Sequence, residues 1–434
     1  MNLIGAPGII HRPGVFISVP LRRCVISALE PPRSRAFVTN PITTQSSEPS
    51  ATPHSSPRLQ IALRVVAGCA ALLVLLGLFA WILRYDLRGY AVLMRFTDPA
   101  ASGPLVRWKM QPFATTDVKI PFAGEDIVAR IYFPVGAKHP PGILLVHGIH
   151  HLAIDDPRFV NLANALAGAG IAVLAPTMEA LSDYHVESNT IAKIGNSAQW
   201  LAKRLGRTSV TVMGISFSGG LALLAAADPQ YQPYVHAVVS VGGYDDLARV
   251  SRFLATSEEE LPNGGTAHLP AHDYGAAVFV YGHLPQFFAV EDLPTAREAL
   301  RYYLWEQPEK ASPFLPSLTA SGRETMEILL ARDIARLRPR LLAAISADQE
   351  ELAALSPHGH IAGLRAPIFL LHGSEDSVIP PAESLWLAKD IPPEALRAVL
   401  ITPMFSHVDL KASAVWRDEL RLVHFMGSVL RAVD

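Results

Sequence analysis

The chain has 434 residues, with 37 Lys and Arg against 39 Asp and Glu for a formal net charge of −2. That balance, with no basic cluster in the body of the chain, argues against a nucleic-acid partner. The two cysteines, Cys24 and Cys69, argue against a disulfide scaffold, thiol catalysis or a cysteine zinc site, while 50% hydrophobic residues suffice for a large buried core.

Residues 1–57 carry PPRSR, TTQSSEPS and TPHSSP without helical or strand period. They read as a disordered tail, too polar to offset the entropy of ordering. Arg12, Arg22, Arg23, Arg33 and Arg35 against Glu30 and Glu48 also fit an organelle presequence or a start codon placed too early. From Val65 to Leu83 no residue is charged. As a helix this run spans about 28 Å, close to the hydrocarbon thickness of a bilayer. Arg64 and Arg84 flank it, and Trp81 and Tyr85 lie near one end, as at a membrane interface. Val66-Ala67-Gly68-Cys69 is no lipoprotein box, because the apolar run follows the cysteine. The expectation is one retained, single-pass transmembrane anchor in contact with a lipid bilayer. Arg58 and Arg64 on one side against Arg84, Arg88 and Arg95 on the other leave its orientation open.

Residues 84–115, with Pro99, Gly103, Pro104 and Pro112, read as a linker. One large domain is expected over 116–434. Thr116–Pro121 and Asp126–Phe133 read as antiparallel strands, and GILLVH at Gly142–His147 as a strand buried on both faces. Helices are expected at Arg158–Ala169, Asn189–Leu205 and Phe217–Ala227, and strands at Ile171–Ala175, Ser209–Ile215 and Val235–Val241. This alternation predicts an α/β fold with a mostly parallel, doubly wound sheet. It stops near Gly243 and returns at Ile368–His372, an excursion of about 120 residues. A stretch that long is expected to be an inserted helical cap, about 243–363, with helices at Thr295–Glu306 and Thr325–Leu337 and a loop at Pro262–Gly265. Helices at Ser384–Asp390 and Ala414–Leu430 and a strand at Leu396–Ile401 complete the domain.

SVTVMGISFSGG, Ser209–Gly220, has the layout of a nucleophile elbow: a β-branched strand, a serine at a tight turn, then a helix. Such a serine requires small neighbours, here Gly214 and Ser218, and a histidine base oriented by a carboxylate. Asp376 follows the strand Ile368–Leu371, and His407 follows the strand Val399–Ile401, in the order serine, acid, histidine. Glu375, Asp245 and Asp246 are rival acids, and Ser218 is a rival nucleophile lying inside the following helix. His147, His150 and His151 with Asp155 and Asp156 lack the spacing of a metal site, so neither metal nor cofactor is expected. The cap aromatics Phe287, Phe288, Tyr302, Tyr303, Trp305 and Phe314 either line an acyl pocket or pack the cap helices together.

From about Thr116 to the C-terminus the chain resembles the α/β-hydrolase superfamily, most of all dienelactone-hydrolase-type and related bacterial ester hydrolases. The resemblance rests on His147-Gly148, Gly214-Ile215-Ser216-Phe217-Ser218-Gly219-Gly220, His372-Gly373-Ser374-Glu375-Asp376 and Ser406-His407. It departs from the commoner pattern at Ser218, where a glycine is usual. The resemblance implies Ser216 as nucleophile, His407 as general base and acid, and Asp376 as orienting carboxylate. It also implies an oxyanion hole from the N–H groups of Ile149 and Phe217. The activity it implies is hydrolysis of a small-molecule carboxylic ester; acyl transfer with the same triad, peptidase activity and a non-catalytic membrane-tethered binding module are the alternatives.

Overall fold

The computed structural model describes residues 57–406, 409–410 and 415–434. The tail expected over 1–57 lies outside these residues except for Pro57, as does His407. The chain divides into two units, Met1–Ala67 and Gly68–Asp434. Of the first, only Pro57–Ala67 is described, and it is helical.

The uncharged run forms helix α1 (Pro57–Ile82), in which Leu72, Leu73, Val74, Leu75, Leu78 and Phe79 are exposed. Among the described residues no single helix is long and apolar enough to cross a membrane. Val65–Phe79 and Arg84–Thr97 meet the criterion only as a pair bent by 56°. The second member of that pair is α2 (Arg84–Thr97), in which Ala91, Val92 and Leu93 are buried, the last two in a cluster with α4 and α17. Arg88 fixes it there, donating to Asp434 at 2.7 Å and to the Ala169 carbonyl at 3.0 Å. The stretch 84–115 is therefore folded rather than a plain linker: α2 is followed by α3 (Pro104–Lys109) and the start of β1 (Phe113–Phe122).

β2 (Glu125–Pro134) pairs antiparallel with β1. Next come β3 (Gly142–Val146), α4 (Pro157–Gly168), β4 (Ala172–Pro176), the short α5 (Glu179–Ser182), α6 (Ser188–Leu205), β5 (Val210–Ile215), α7 (Phe217–Ala227) and β6 (Val235–Val241). The Val, Ile and Leu runs of β3, β4 and β5 are buried at every position, as a sheet covered on both faces requires.

The excursion after β6 is mostly helical and contains a small ribbon. Its elements are α8 (Leu247–Thr256), β7 (Glu258–Glu260), β8 (Thr266–His268), α9 (Asp273–Gly282), α10 (Leu284–Phe287), α11 (Leu293–Leu304), α12 (Pro308–Ala311), α13 (Ala320–Leu330), α14 (Ile334–Ala347) and α15 (Gln349–Ala354). The loop expected at Pro262–Gly265 joins β7 to β8. The single helix expected over Thr325–Leu337 is broken between α13 and α14, where Arg332 has φ 58°.

β9 (Ile368–Gly373), α16 (Ala382–Asp390), β10 (Leu396–Thr402) and α17 (Trp416–Val433) close the domain. The eight-stranded sheet has the order β1-β2-β4-β3-β5-β6-β9-β10, parallel from β4 to β10. One apolar layer packs α6, α7 and α16 on the sheet, and another packs α2, α4 and α17 on the opposite face. The cap has a core of its own.

Candidate active site

Ser216 sits between β5 and α7 with φ 59° and ψ −131°. A non-glycine residue in that region costs about 1–3 kcal/mol, which the surrounding packing must hold in place. The crowding explains the small neighbours. A Cβ at Gly214 would lie 2.3 Å from the Ser218 carbonyl oxygen, so this position accepts only glycine. Phe217 is the first residue of α7, so its N–H has no acceptor within the helix and lies at the positive end of the helix dipole.

The rival hydroxyl is already engaged. Ser218 is fully buried; its Oγ accepts from the Ile215 N–H at 2.8 Å and lies 2.9 Å from both the Val146 and Ile215 carbonyls. It ties the elbow to β3, which accounts for a serine where glycine is the commoner residue. Ser216 instead borders a cavity of about 310 Å³.

The turn after β3 faces the elbow. A Cβ on Gly148 would come within 3.0 Å of the Ser216 Cβ, so the backbone passes close to the serine. The Met178 N–H donates to His147 Nε2 at 3.0 Å. An amide can only donate, so Nδ1 carries the imidazole proton and gives it to the Gly148 carbonyl at 2.7 Å. Because the peptide is planar and trans, fixing that carbonyl also fixes the Ile149 N–H on its opposite side. Burial pushes the His147 imidazolium down to about 4, so the ring is neutral at pH 7.

Asp376 lies in the turn after β9 and is buried. Its Oδ1 accepts from the N–H groups of Val378 at 2.9 Å and Ile379 at 3.1 Å, while Oδ2 lies 3.7 Å from His372 Nε2. His372 is itself held by Ser384 Oγ at 2.7 Å and the Ile379 carbonyl at 2.9 Å. Ser216, Ile149, Phe217 and Asp376 thus all lie in the turns after the carboxyl ends of parallel strands. Each rival acid has another setting. Glu375 is exposed, Asp246 caps α8 through the Arg249 N–H at 3.0 Å, and Asp245 pairs with the Arg249 guanidinium at 2.9 Å.

Within the histidine and aspartate cluster after β3, His150 Nδ1 lies 3.5 Å from Asp156 Oδ2, while the other members have partners outside it. His151 Nδ1 meets the Tyr184 hydroxyl at 3.2 Å, Asp155 pairs with Arg130 at 2.7 Å, and Asp156 pairs with Arg158 at 2.8 Å. Asp245, His358 and Asp390 bring ligand atoms within 4.8 Å of one another. A cation there would have to share Asp245 with Arg249.

A family model for the alpha/beta hydrolase fold matches residues 141–410, which contain the elbow, both turns and the cap. The chain belongs to the α/β-hydrolase family. No curated protein matches it. Among solved structures it is similar to an acylaminoacyl peptidase from Pyrococcus horikoshii, at 14% identity and TM-score 0.45, covering 77% of this chain and 44% of that one. It is similar to Est1E from Butyrivibrio proteoclasticus at 15% identity and TM-score 0.40, covering 73% and 98%. A dienelactone hydrolase from Anabaena variabilis gives 16% identity and TM-score 0.38, covering 73% and 96%. This α/β-hydrolase therefore spans less than half the length of the peptidase.

The cavity of this α/β-hydrolase departs from the expected pocket. Phe287, Phe288, Tyr302, Tyr303, Trp305 and Phe314 pack into or against the cap core, and none of them lines the cavity. From the cap come His272, Tyr274, Leu304 and Glu306. The apolar wall comes instead from Val92, Leu93 and Phe96 of α2, Phe159 and Leu162 of α4, and Phe425 and Met426 of α17. Tyr274 was not legible as a site residue. Its hydroxyl is buried near Tyr184, and burial raises the pKa of the phenol, so it remains neutral beside the cavity. The α2 wall did leave a sequence signal, the helical stripe Tyr85, Gly89, Val92, Leu93 and Phe96, which the prolines after it obscured.

Proposed function

We propose that this α/β-hydrolase is a membrane-tethered serine hydrolase that cleaves carboxylic esters through an acyl-enzyme at Ser216. The observation that carries the reading is the contrast at the elbow. Ser216 is held in a strained turn at the cavity, while the Ser218 hydroxyl accepts from the Ile215 N–H and has its one proton between the Val146 and Ile215 carbonyls. In this reading Ser216 Oγ attacks the ester carbonyl carbon as His407 takes its proton. The N–H groups of Ile149 and Phe217 stabilise the oxyanion, and the C–O bond breaks as His407 returns the proton to the departing alcohol. Water then repeats the sequence on the acyl-enzyme. Asp376 orients the histidine, and two backbone N–H donors keep its carboxylate in place.

Tethering rests on α1. Its apolar side chains face outward, and the Arg84 guanidinium lies over the rings of Trp81 at 4.4 Å and Tyr85 at 4.8 Å, in keeping with an interfacial anchor. With α2 docked on the domain, α1 alone is the segment that would enter a bilayer. Hydrolysis of short p-nitrophenyl esters tests the chemistry. Ser216→Ala is expected to lose about 10⁴- to 10⁶-fold in kcat with unchanged circular dichroism, and retained activity would sink the assignment.

A further inference from the structure

The lining of the cavity at Ser216 has two chemically different parts. His150, Asp156, Arg158, His272 and Glu306 are polar or charged. The rest is largely apolar, with side chains of α2, α4 and α17 and of the strands they cover. Protein interiors are packed to crystal-like density, so an open space of about 310 Å³ with such a lining is unusual. We propose that this space takes the acyl group of the substrate, and that the acyl group is an unsubstituted alkanoyl chain. The inference deepens the ester-hydrolase reading and rests on it. Val92, Leu93 and Phe96 of α2 line it together with Phe159, Phe425 and Met426. None of these side chains donates or accepts a hydrogen bond, so a hydroxyl or charge far along the acyl group would be buried unpaired. Specificity for the acyl chain is thus written in α2, the helix next to the apolar α1, rather than in the cap.

The test uses the full-length protein in detergent micelles with p-nitrophenyl acetate, butyrate, octanoate and laurate. The expected kcat/KM rises about fourfold per methylene until the space is filled, the fold-change that ~0.8 kcal/mol per buried CH₂ gives. Leu93→Trp narrows the space and is expected to lower the octanoate-to-acetate ratio at least tenfold. Phe96→Ala widens it and is expected to move the optimum toward laurate. A second readout needs no chemistry: dodecanoate titrated into Ser216→Ala by calorimetry is expected to bind, and Leu93→Trp in that background to weaken it tenfold. A flat chain-length profile with esterase activity present, or ratios unchanged in both variants, overturns the alkanoyl pocket. Absence of hydrolysis of every ester, with dodecanoate bound and Leu93-dependent, overturns the ester reading and leaves the pocket standing. Absence of dodecanoate binding overturns the pocket.

Discussion

Asp245 follows β6 and Asp376 follows β9, its neighbour in the sheet, and both carboxylates are buried. Their surroundings differ. Asp245 meets a cation, Arg249, which also donates to Glu383 at 2.6 Å, and its Oδ1 has no hydrogen-bond partner among the described residues. Burial and the Glu383 carboxylate push Asp245 up to about 7 against the pull of Arg249. Asp376 has two backbone N–H donors on Oδ1, from Val378 and Ile379, and its Oδ2 lies 3.7 Å from His372 Nε2. A carboxylate that must support a histidine through a reaction cycle needs the second setting. The first is a structural ion cluster that joins α8 to α16. Two aspartates at adjacent strand ends are thus told apart by their partners and not by their depth.

This contrast can be broken by substitution. Asp376→Asn is expected to lower kcat about 10⁴-fold, by analogy with loss of a triad carboxylate, at unchanged Tm. A loss below tenfold would pass the role to another acid. His147→Asn removes the proton that holds the Gly148 carbonyl, and is expected to lower kcat about 10²-fold through a misplaced Ile149 N–H, with KM little changed. The same substitution should alter the pH dependence of stability. The folded-state His147 is depressed to about 4 while the unfolded ring titrates near its ordinary value of 6.5, so the unfolded chain binds more protons between those values. Wild-type stability should be full above about pH 6.5 and fall as pH drops toward 4. His147→Asn should flatten that slope in urea titrations, and an unchanged slope would remove His147 as its source. Asp245→Asn is expected to leave kcat within about threefold and to destabilise by about 2 kcal/mol, through a weakened charge-assisted bond to Arg249. A catalytic loss as large as that of Asp376→Asn would erase the distinction between the two turns.

How legible each region was follows from how local its cause is. The elbow is a local object: a β-branched strand, Gly214 and the small residues of α7 are contiguous, and their steric logic is readable without the rest of the fold. The Asp376 turn is readable for the same reason, because it follows an unbroken apolar strand. The break between α13 and α14 is not, since Arg332 enters the left-handed region with neither glycine nor proline to mark it. The role of Ser218 required the distance to Val146, a residue far away in sequence. The α2 wall required the knowledge that α17 and α4 come to meet it. The cap aromatics are compatible in sequence with either a pocket lining or cap packing, and they serve the cap's own core.

The central claim is that Ser216, and no other hydroxyl at the elbow, is the nucleophile. Labelling the protein with a fluorophosphonate and sequencing the modified peptide by mass spectrometry tests it directly. The account predicts one stoichiometric adduct on Ser216, abolished in Ser216→Ala and retained in Ser218→Ala if that variant folds. An adduct on Ser218, or labelling that survives Ser216→Ala, would contradict it.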